Sequence, residues 1–305
     1  MTFTTRIKEE VTSLEPNIVD ARTELLSYIK FTSNVTDKSI TIYVENANVA
    51  RYIYKLIKMT FNININITIR TQKKFKIKKI FILSIKEKID TIKKDIEELE
   101  LNIGNSSFEE ISSFLKGVFL CCGSINDPSK SKYHLEFIID KETDAQLINS
   151  LLITLNFSSK IIRRDKGYMV YIKISEEISD FIKLLGATNS LFYYEDIRIY
   201  RDHKNMVNRL NNCEQANIEK SMASSREQLD NIEYLREHDL IDLLDEKIKT
   251  VIFYKEKYPE TTMNELANII SIETDRQVTK SGINHYFRKI KDLVYKDKNR
   301  NNIDK

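Results

Sequence analysis

Apolar residues recur along this chain with two periods, and the periods alternate in blocks. Residues 20–31 carry Leu25, Leu26, Ile29 and Phe31 at helical spacing. Residues 39–45 alternate through Ile40, Ile42 and Val44, which predicts a half-buried strand. Helical spacing returns over 47–61 through Val49, Ile53, Leu56 and Ile57. Residues 62–70 then alternate strictly, with Ile63, Ile65, Ile67 and Ile69 on one face. A polar turn at 71–74 leads to a second strand over 75–85, and 85–99 reads as a charged amphipathic helix. The predicted order is helix, strand, helix, strand, strand, helix.

That order repeats. A helix over 109–122 precedes a strand over 132–140 whose apolar face is Tyr133, Leu135, Phe137 and Ile139. A helix at 143–155, strands at 158–164 and 168–174, and a helix at 175–185 follow. Leu56 and Phe61 match Leu152 and Phe157 at the same offset, and each pair precedes an alternating strand. Residues 20–100 and 109–187 therefore read as an internal duplication. Each half alone would leave its opening helix uncovered, so the two predict one α+β domain over 1–187.

Residues 111–122 are apolar or small on nearly every side, with Gly117 in the middle. A helix without a polar face belongs inside a fold. Glycine there costs about 1 kcal/mol against alanine, so a second backbone passing close is expected. Gly123 suits the helix stop, and 125–128 reads as a strand start or turn. A plain core helix accounts for this pattern. A sharper reading also exists, because Leu115-Lys-Gly-Val-Phe-Leu-Cys-Cys-Gly-Ser124 resembles the LAGLIDADG signature of homing endonucleases. The resemblance implies two such helices packed glycine to glycine, with an acid before the final glycine binding the catalytic metal. That slot holds Cys122, and the earlier acidic position holds Leu120. In the first copy the stretch is 25–34 and the slot falls on Thr32. The scaffold is expected without its metal chemistry, so no catalytic residue, metal or cofactor is assigned. A nuclease needs hard oxygen ligands, and the nearest candidate, Asp127, lies beyond Gly123 in the turn.

Residues 188–202 are rich in aromatics and read as a connector, and 205–217 form a polar helix running on to about 237. Cys213 beside Arg209 has no histidine near it in sequence and reads as a bland thiol. After this linker, 188–238, the domain 239–305 is predicted to be all helical. A helix over 239–258 ends at Pro259, and a short one over 262–270 carries a capping box, Thr262 with Glu265. A polar loop, 271–278, follows. Thr279 then caps a helix whose buried stripe is Ile283, Phe287, Ile290 and Val294. Lys280, Ser281, Asn284, His285, Arg288 and Lys289 are left facing out. This is the pattern of a helix-turn-helix, whose second helix offers polar residues to base edges. Asn284 suits adenine and Arg288 guanine, while Lys289 and Lys291 suit phosphate. A three-helix packing module with a basic exterior is the alternative.

Over its 305 residues the chain has a net charge of only +3, so a nucleic-acid role must rest on local patches. Arg70, Lys73, Lys74, Lys76, Lys78 and Lys79, without an acid, put +6 on residues 62–85. Lys160, Arg163, Arg164, Lys166 and Lys173 against Asp165 put +4 on the matching hairpin, and 279–305 carries +5. Lys73, Lys74, Lys76, Arg163 and Arg164 are thus candidates for tracking phosphates. Lysines that blunt a strand edge explain the same charge. Three cysteines without a CxxC pair and four scattered histidines fit a reducing cytoplasm and no metal site. No apolar run approaches the roughly 20 residues of a membrane span, and the N-terminus lacks a signal-peptide core.

Three segments together resemble the WhiA family: Phe114–Pro128, Asn205–Asn217 and Thr279–Ile290. The resemblance implies a bacterial DNA-binding regulator, a degenerate homing-endonuclease domain joined to a sigma-factor-like helix-turn-helix. In sporulating actinobacteria such proteins activate developmental genes, and in Gram-positive rods they are tied to cell division and chromosome segregation. Double-stranded DNA is the expected partner, with a second transcription regulator or RNA polymerase beside it, at the nucleoid. No membrane or small-molecule substrate is expected. The chain departs from the family in a longer loop at 271–278 and a weaker match around Thr32 and Ser33. A metal-dependent endonuclease, or a scaffold that binds protein through the saddle, are the alternative functions.

Overall fold

The chain forms two units, Met1–Asp202 and His203–Lys305, in a computed structural model that describes residues 2–72 and 78–303. The first unit opens with α1 (Phe3–Ser13) and then builds one motif twice. The first copy runs α2 (Ala21–Thr32), β1 (Ser33–Val35), β2 (Ile40–Val44), α3 (Ala47–Phe61), β3 (Ile65–Gln72), β4 (Lys78–Ile85) and α4 (Ile89–Asn102). The second runs α5 (Phe108–Cys122), β5 (Gly123–Ile125), β6 (Leu135–Ile139), α6 (Glu142–Thr154), β7 (Lys160–Arg163), β8 (Tyr168–Ile172) and α7 (Ser175–Leu184). Both sheets are antiparallel, with orders β1-β2-β4-β3 and β5-β6-β8-β7, so the duplication holds strand by strand.

The alternating strands bury the face their periodicity marked. Ile40, Ile42, Leu83 and Ile85 are fully buried in the first sheet, as are Leu135, Phe137, Val170 and Ile172 in the second. Local signals set the helix ends. The Asn46 side chain accepts from the amides of Asn48 and Val49 to start α3, and Ser107 accepts from Glu110 N to start α5. Asn62 ends α3 at φ 47°, and Asn156 takes φ 65° after α6, a conformation asparagine tolerates better than other residues bearing a Cβ. β1 and β5 depart from the predicted order, since each is only three residues long and too short to show alternation.

At the centre, α2 lies against α5, and Gly117 is the reason they come so close. A Cβ there would collide with Ser27 Oγ and with the Glu24 carbonyl of α2. The expected close approach is therefore present, although the first copy meets Gly117 with Glu24 and Ser27 and not with a second glycine. Gly123 begins β5 with extended backbone, so its role is steric: a Cβ would strike the Phe119 side chain. α1 packs Phe3, Ile7 and Val11 into the same core.

The aromatic stretch expected to be a connector is instead the start of one helix, α8 (Thr188–Glu237). Glu10 of α1 caps it, accepting from Asn189 N at 2.6 Å and Ser190 N at 2.9 Å, and Tyr194 is fully buried in the first core. The second unit adds α9 (Glu246–Lys257), α10 (Met263–Thr274) and α11 (Lys280–Ile303). Its core joins Ile232 and Leu235 of α8 to Ile248, Val251, Leu266 and Ile270, and to the stripe Ile283, Phe287, Ile290 and Val294. Two boundaries differ from expectation. The helix placed at 239–258 starts only at Glu246, after Asp239 turns at φ 53° and residues 241–243 make a 3-10 turn. The loop placed at 271–278 is shorter, because α10 continues to Thr274 and Asp275 reverses the chain at φ 50°. Among the described residues, no helix is long and apolar enough to cross a membrane.

Candidate nucleic-acid interface

In the second unit the sequence builds a helix pair with a tight joint. The Thr262 hydroxyl accepts from Glu265 N, and the Glu265 carboxylate accepts from Thr262 N, closing the capping box at the start of α10. Ser271 Oγ accepts from Val278 N at 2.9 Å and holds the turn, and Thr279 Oγ1 accepts from Gly282 N at 3.2 Å to start α11. Burial of Ile283, Phe287 and Ile290 on one side of α11 forces its opposite side outward. There Lys280, Ser281, His285, Arg288 and Lys289 are exposed, and among the described residues Lys280, Arg288 and Lys289 make no ion pair. Ser281, His285 and Arg288, at i, i+4 and i+7, form the row furthest from the buried stripe. Asn284 is half-buried on the flank, so it and Arg288 are not equally open. Lys291 is paired with Glu227 of α8 at 2.5 Å, which leaves its charge partly neutralised.

The saddle candidates fall in different places. Lys73, Lys74 and Lys76 lie outside the described residues. Arg70 is exposed and, by register with Ile80, shares the face away from the helices with Thr68 and Asn66. In the second sheet, Arg163 pairs in register with Tyr168, beside Val170 and Ile172, which puts it on the helix side. Arg164 is on the open face, its guanidinium 3.4 Å from Glu136. Glu136 also meets His134 Nε2 at 3.2 Å, and the His134 ring stacks on Tyr171 at 5.7 Å. The open face of this sheet is therefore a self-satisfied cluster of Arg164, Glu136, His134 and Tyr171. Sequence reading missed the last three, although alternation in β6 and β8 marks them as facing away from the core.

The metal slots come next. β1 starts at Ser33 and β5 at Gly123, so Thr32 and Cys122 take equivalent places at the ends of α2 and α5. Thr32 Oγ1 donates to the Tyr28 carbonyl at 2.5 Å, and Cys122 Sγ to the Val118 carbonyl at 3.3 Å. Burial pushes the neighbouring Cys121 thiol well up. Lys8 of α1 sets its ammonium 5.5 Å from the Phe119 ring centroid, and burial draws its pKa down. A hydroxyl, two cysteine sulfurs and a nearby lysine do not fit a hard divalent cation, which takes carboxylate oxygens. Asp127 is engaged elsewhere, accepting from Ser129 N at 2.9 Å, Ser129 Oγ at 2.7 Å and Tyr193 OH at 3.2 Å. Among the described residues, no cluster of three His, Cys, Asp or Glu side chains could hold a metal.

Beside Gly117 the helix pair carries a buried polar network. Lys116 Nζ lies 3.0 Å from Glu24 Oε2, and Tyr52 OH donates to the same oxygen at 3.1 Å. Glu24 is 3% exposed, and burial raises its pKa despite the lysine. Its Oε1 has no partner.

A duplicated saddle built on two axis helices, followed by a helix-turn-helix, defines a LAGLIDADG-like scaffold carrying a helix-turn-helix domain. Residues 20–99 match the WhiA N-terminal LAGLIDADG-like domain, 111–204 the WhiA LAGLIDADG-like domain and 207–294 the WhiA C-terminal HTH domain. The chain is 34% identical over 309 residues to the probable cell division protein WhiA of Bacillus cytotoxicus, covering 97% of each. The same identity and coverage hold for the protein of that name from Bacillus cereus. The full-length DUF199/WhiA of Thermatoga maritima shares the fold at a TM-score of 0.57 and 24% identity, over 97% of this chain and 99% of that one. The chain belongs to the WhiA family.

Proposed function

We propose that this protein is a sequence-reading, DNA-binding transcription regulator that serves cell division or chromosome segregation and does not cut DNA. The observation that carries the reading is α11: its N-terminal polar residues are exposed and not ion-paired, on a helix held by a complete core. Arg288 and Asn284 then read bases, with Ser281 and His285 beside them, while Lys280 and Lys289 hold phosphates. The saddle, with Arg164 tied to Glu136, is left for a protein partner such as RNA polymerase or a second regulator, and DNA binding places the protein at the nucleoid. The names of its Bacillus relatives support the link to division.

Immunoprecipitation of the tagged protein across the genome tests the regulator reading. Discrete peaks upstream of genes, lost on Arg288→Ala, are expected; a flat profile counts against it. Incubating purified protein with bound target DNA and magnesium or manganese tests the second half. Cleavage that disappears on Cys122→Ala would restore the nuclease alternative.

A further inference from the structure

The second unit carries a half-open cavity of about 200 Å³ beside the base-reading face. α8 lines it with Ser221, Ser224 and Gln228, α9 with Lys255, α10 with its first residues, Met263 and Asn264, and α11 with Lys280. Three features of this lining call for an anion.

The first is Lys255. Its side chain is 1% exposed, and its ammonium donates only to the carbonyls of Pro259, at 2.9 Å, and Thr261, at 3.2 Å. No carboxylate pairs with it, and a buried charge without a counter-charge is costly. Burial draws its pKa down accordingly. The second is the start of α10, a helix of 12 residues. Its capping box satisfies the amides of Thr262 and Glu265, but the N–H groups of Met263 and Asn264 lie in the first turn, where no intrahelical acceptor exists. The third is Gln228, 9% exposed, whose Nε2 donates to Ser224 Oγ at 3.0 Å while its Oε1 has no partner. Turning the amide lets Ser224 donate to Oε1 and frees the two Nε2 protons for the cavity. Lys280 adds an exposed ammonium that makes no ion pair. Glu265, the acid of that turn, is tied to Thr262 N at 2.8 Å and does not line the cavity.

We propose that this cavity seats one phosphate of the DNA backbone while α11 reads the bases. The proposal rests on the DNA-binding reading above. It follows the geometry of helix-turn-helix modules, in which the first helix crosses the backbone and helix N-termini take phosphates. Free inorganic phosphate has the same chemistry, so the test must separate the two sources.

Ser221 is exposed and lines the cavity, so Ser221→Asp puts a negative charge there and Ser221→Asn is its neutral counterpart. Both are made in the full chain and checked by circular dichroism, and binding to a fluorescent duplex is followed over a salt series. Native protein and Ser221→Asn should share one slope of log affinity against log salt. For Ser221→Asp the slope should flatten by about one unit, with affinity falling alike on every sequence. Ser224→Asp, at a second exposed position lining the cavity, reads the same loss if Ser221→Asp does not fold. Unchanged affinity and slope in both charge variants overturn the phosphate seat and leave the DNA-binding reading standing. No binding by native protein at low salt overturns both. If inorganic phosphate raises the melting temperature of native protein but not of Ser221→Asp, while both bind DNA equally, the cavity holds a free anion and the DNA assignment falls.

Discussion

The open face of the second saddle sheet and the outer face of α11 both carry basic residues, yet they use them in opposite ways. Arg164 is turned onto Glu136, and His134 onto Glu136 and Tyr171, so Arg164 is already answered on its own face. On α11, Lys280, Arg288 and Lys289 meet no acid among the described residues. A basic stretch in sequence therefore says little about nucleic acid until its cross-strand partners are known. Similar charge counts, +4 and +5, hide an arginine already paired on one face and basic residues left available on the other.

The comparison breaks hardest at the saddle axis. Gly117→Val drives two methyl groups into the Glu24 carbonyl and Ser27, and should cost the first unit about 3 kcal/mol or more. Urea unfolding should show this as an early transition, with DNA binding at low urea retained. If Gly117→Val lowers the preference for target over non-target duplex as much as Arg288→Ala does, the saddle takes part in recognition. Glu24→Ala comes next. It strands Lys116 and Tyr52 beside a hole and should cost about 3 kcal/mol by the same measurement.

Glu24→Gln sharpens the point through pH. Burial holds this carboxyl above its ordinary value of 4.5, so the native state binds the proton more tightly than the unfolded chain. The carboxyl's contribution is full below that ordinary value and is lost as pH rises through the higher folded one. Glutamine is neutral throughout and escapes that loss. The deficit of Glu24→Gln against native protein should therefore shrink from about pH 4 to about pH 7. A deficit that grows over that range would mean the Lys116 pair outweighs burial.

At α11 the expected effect is on discrimination. Arg288→Ala should remove about 1–3 kcal/mol of preference for target over non-target duplex, while Lys289→Ala weakens all sequences alike. The smallest effect belongs to the neutralised face. Arg164→Ala should change both stability and DNA affinity by less than about 1 kcal/mol, as exposed ion pairs do. A larger loss of affinity would show that DNA draws Arg164 away from Glu136.

Most of the architecture was legible because burial writes a period into the chain. Ile40-Ile42-Val44 and Ile283-Phe287-Ile290 each declared an element and its inner face. What stayed hidden lacks a local signal. β1 and β5 are too short to alternate, whereas α1 spaces Phe3, Ile7 and Val11 four residues apart and was missed despite that signal. Tyr194 marks a helix only once the Glu10 cap, far off in sequence, is seen. Arg164 and Glu136 meet across strands at a separation of 28 residues, and Lys291 meets Glu227 from another helix, so their neutralisation is a fact of packing. Gly117 was the exception, because a costly glycine announces its own reason.

The position of α1 also sets a clock on synthesis. Its partners are Thr4 with Ser124 and Ile125, Phe3 with Tyr193 and Tyr194, and Glu10 with Asn189 and Ser190. One side of α1 thus waits for the last residues of the saddle. At about 5–20 residues per second, that wait is roughly 10–40 s. α3, made much earlier, covers part of α1, but for that time Phe3 has neither Tyr193 nor Tyr194 to pack on, and the nascent chain offers chaperones that apolar surface.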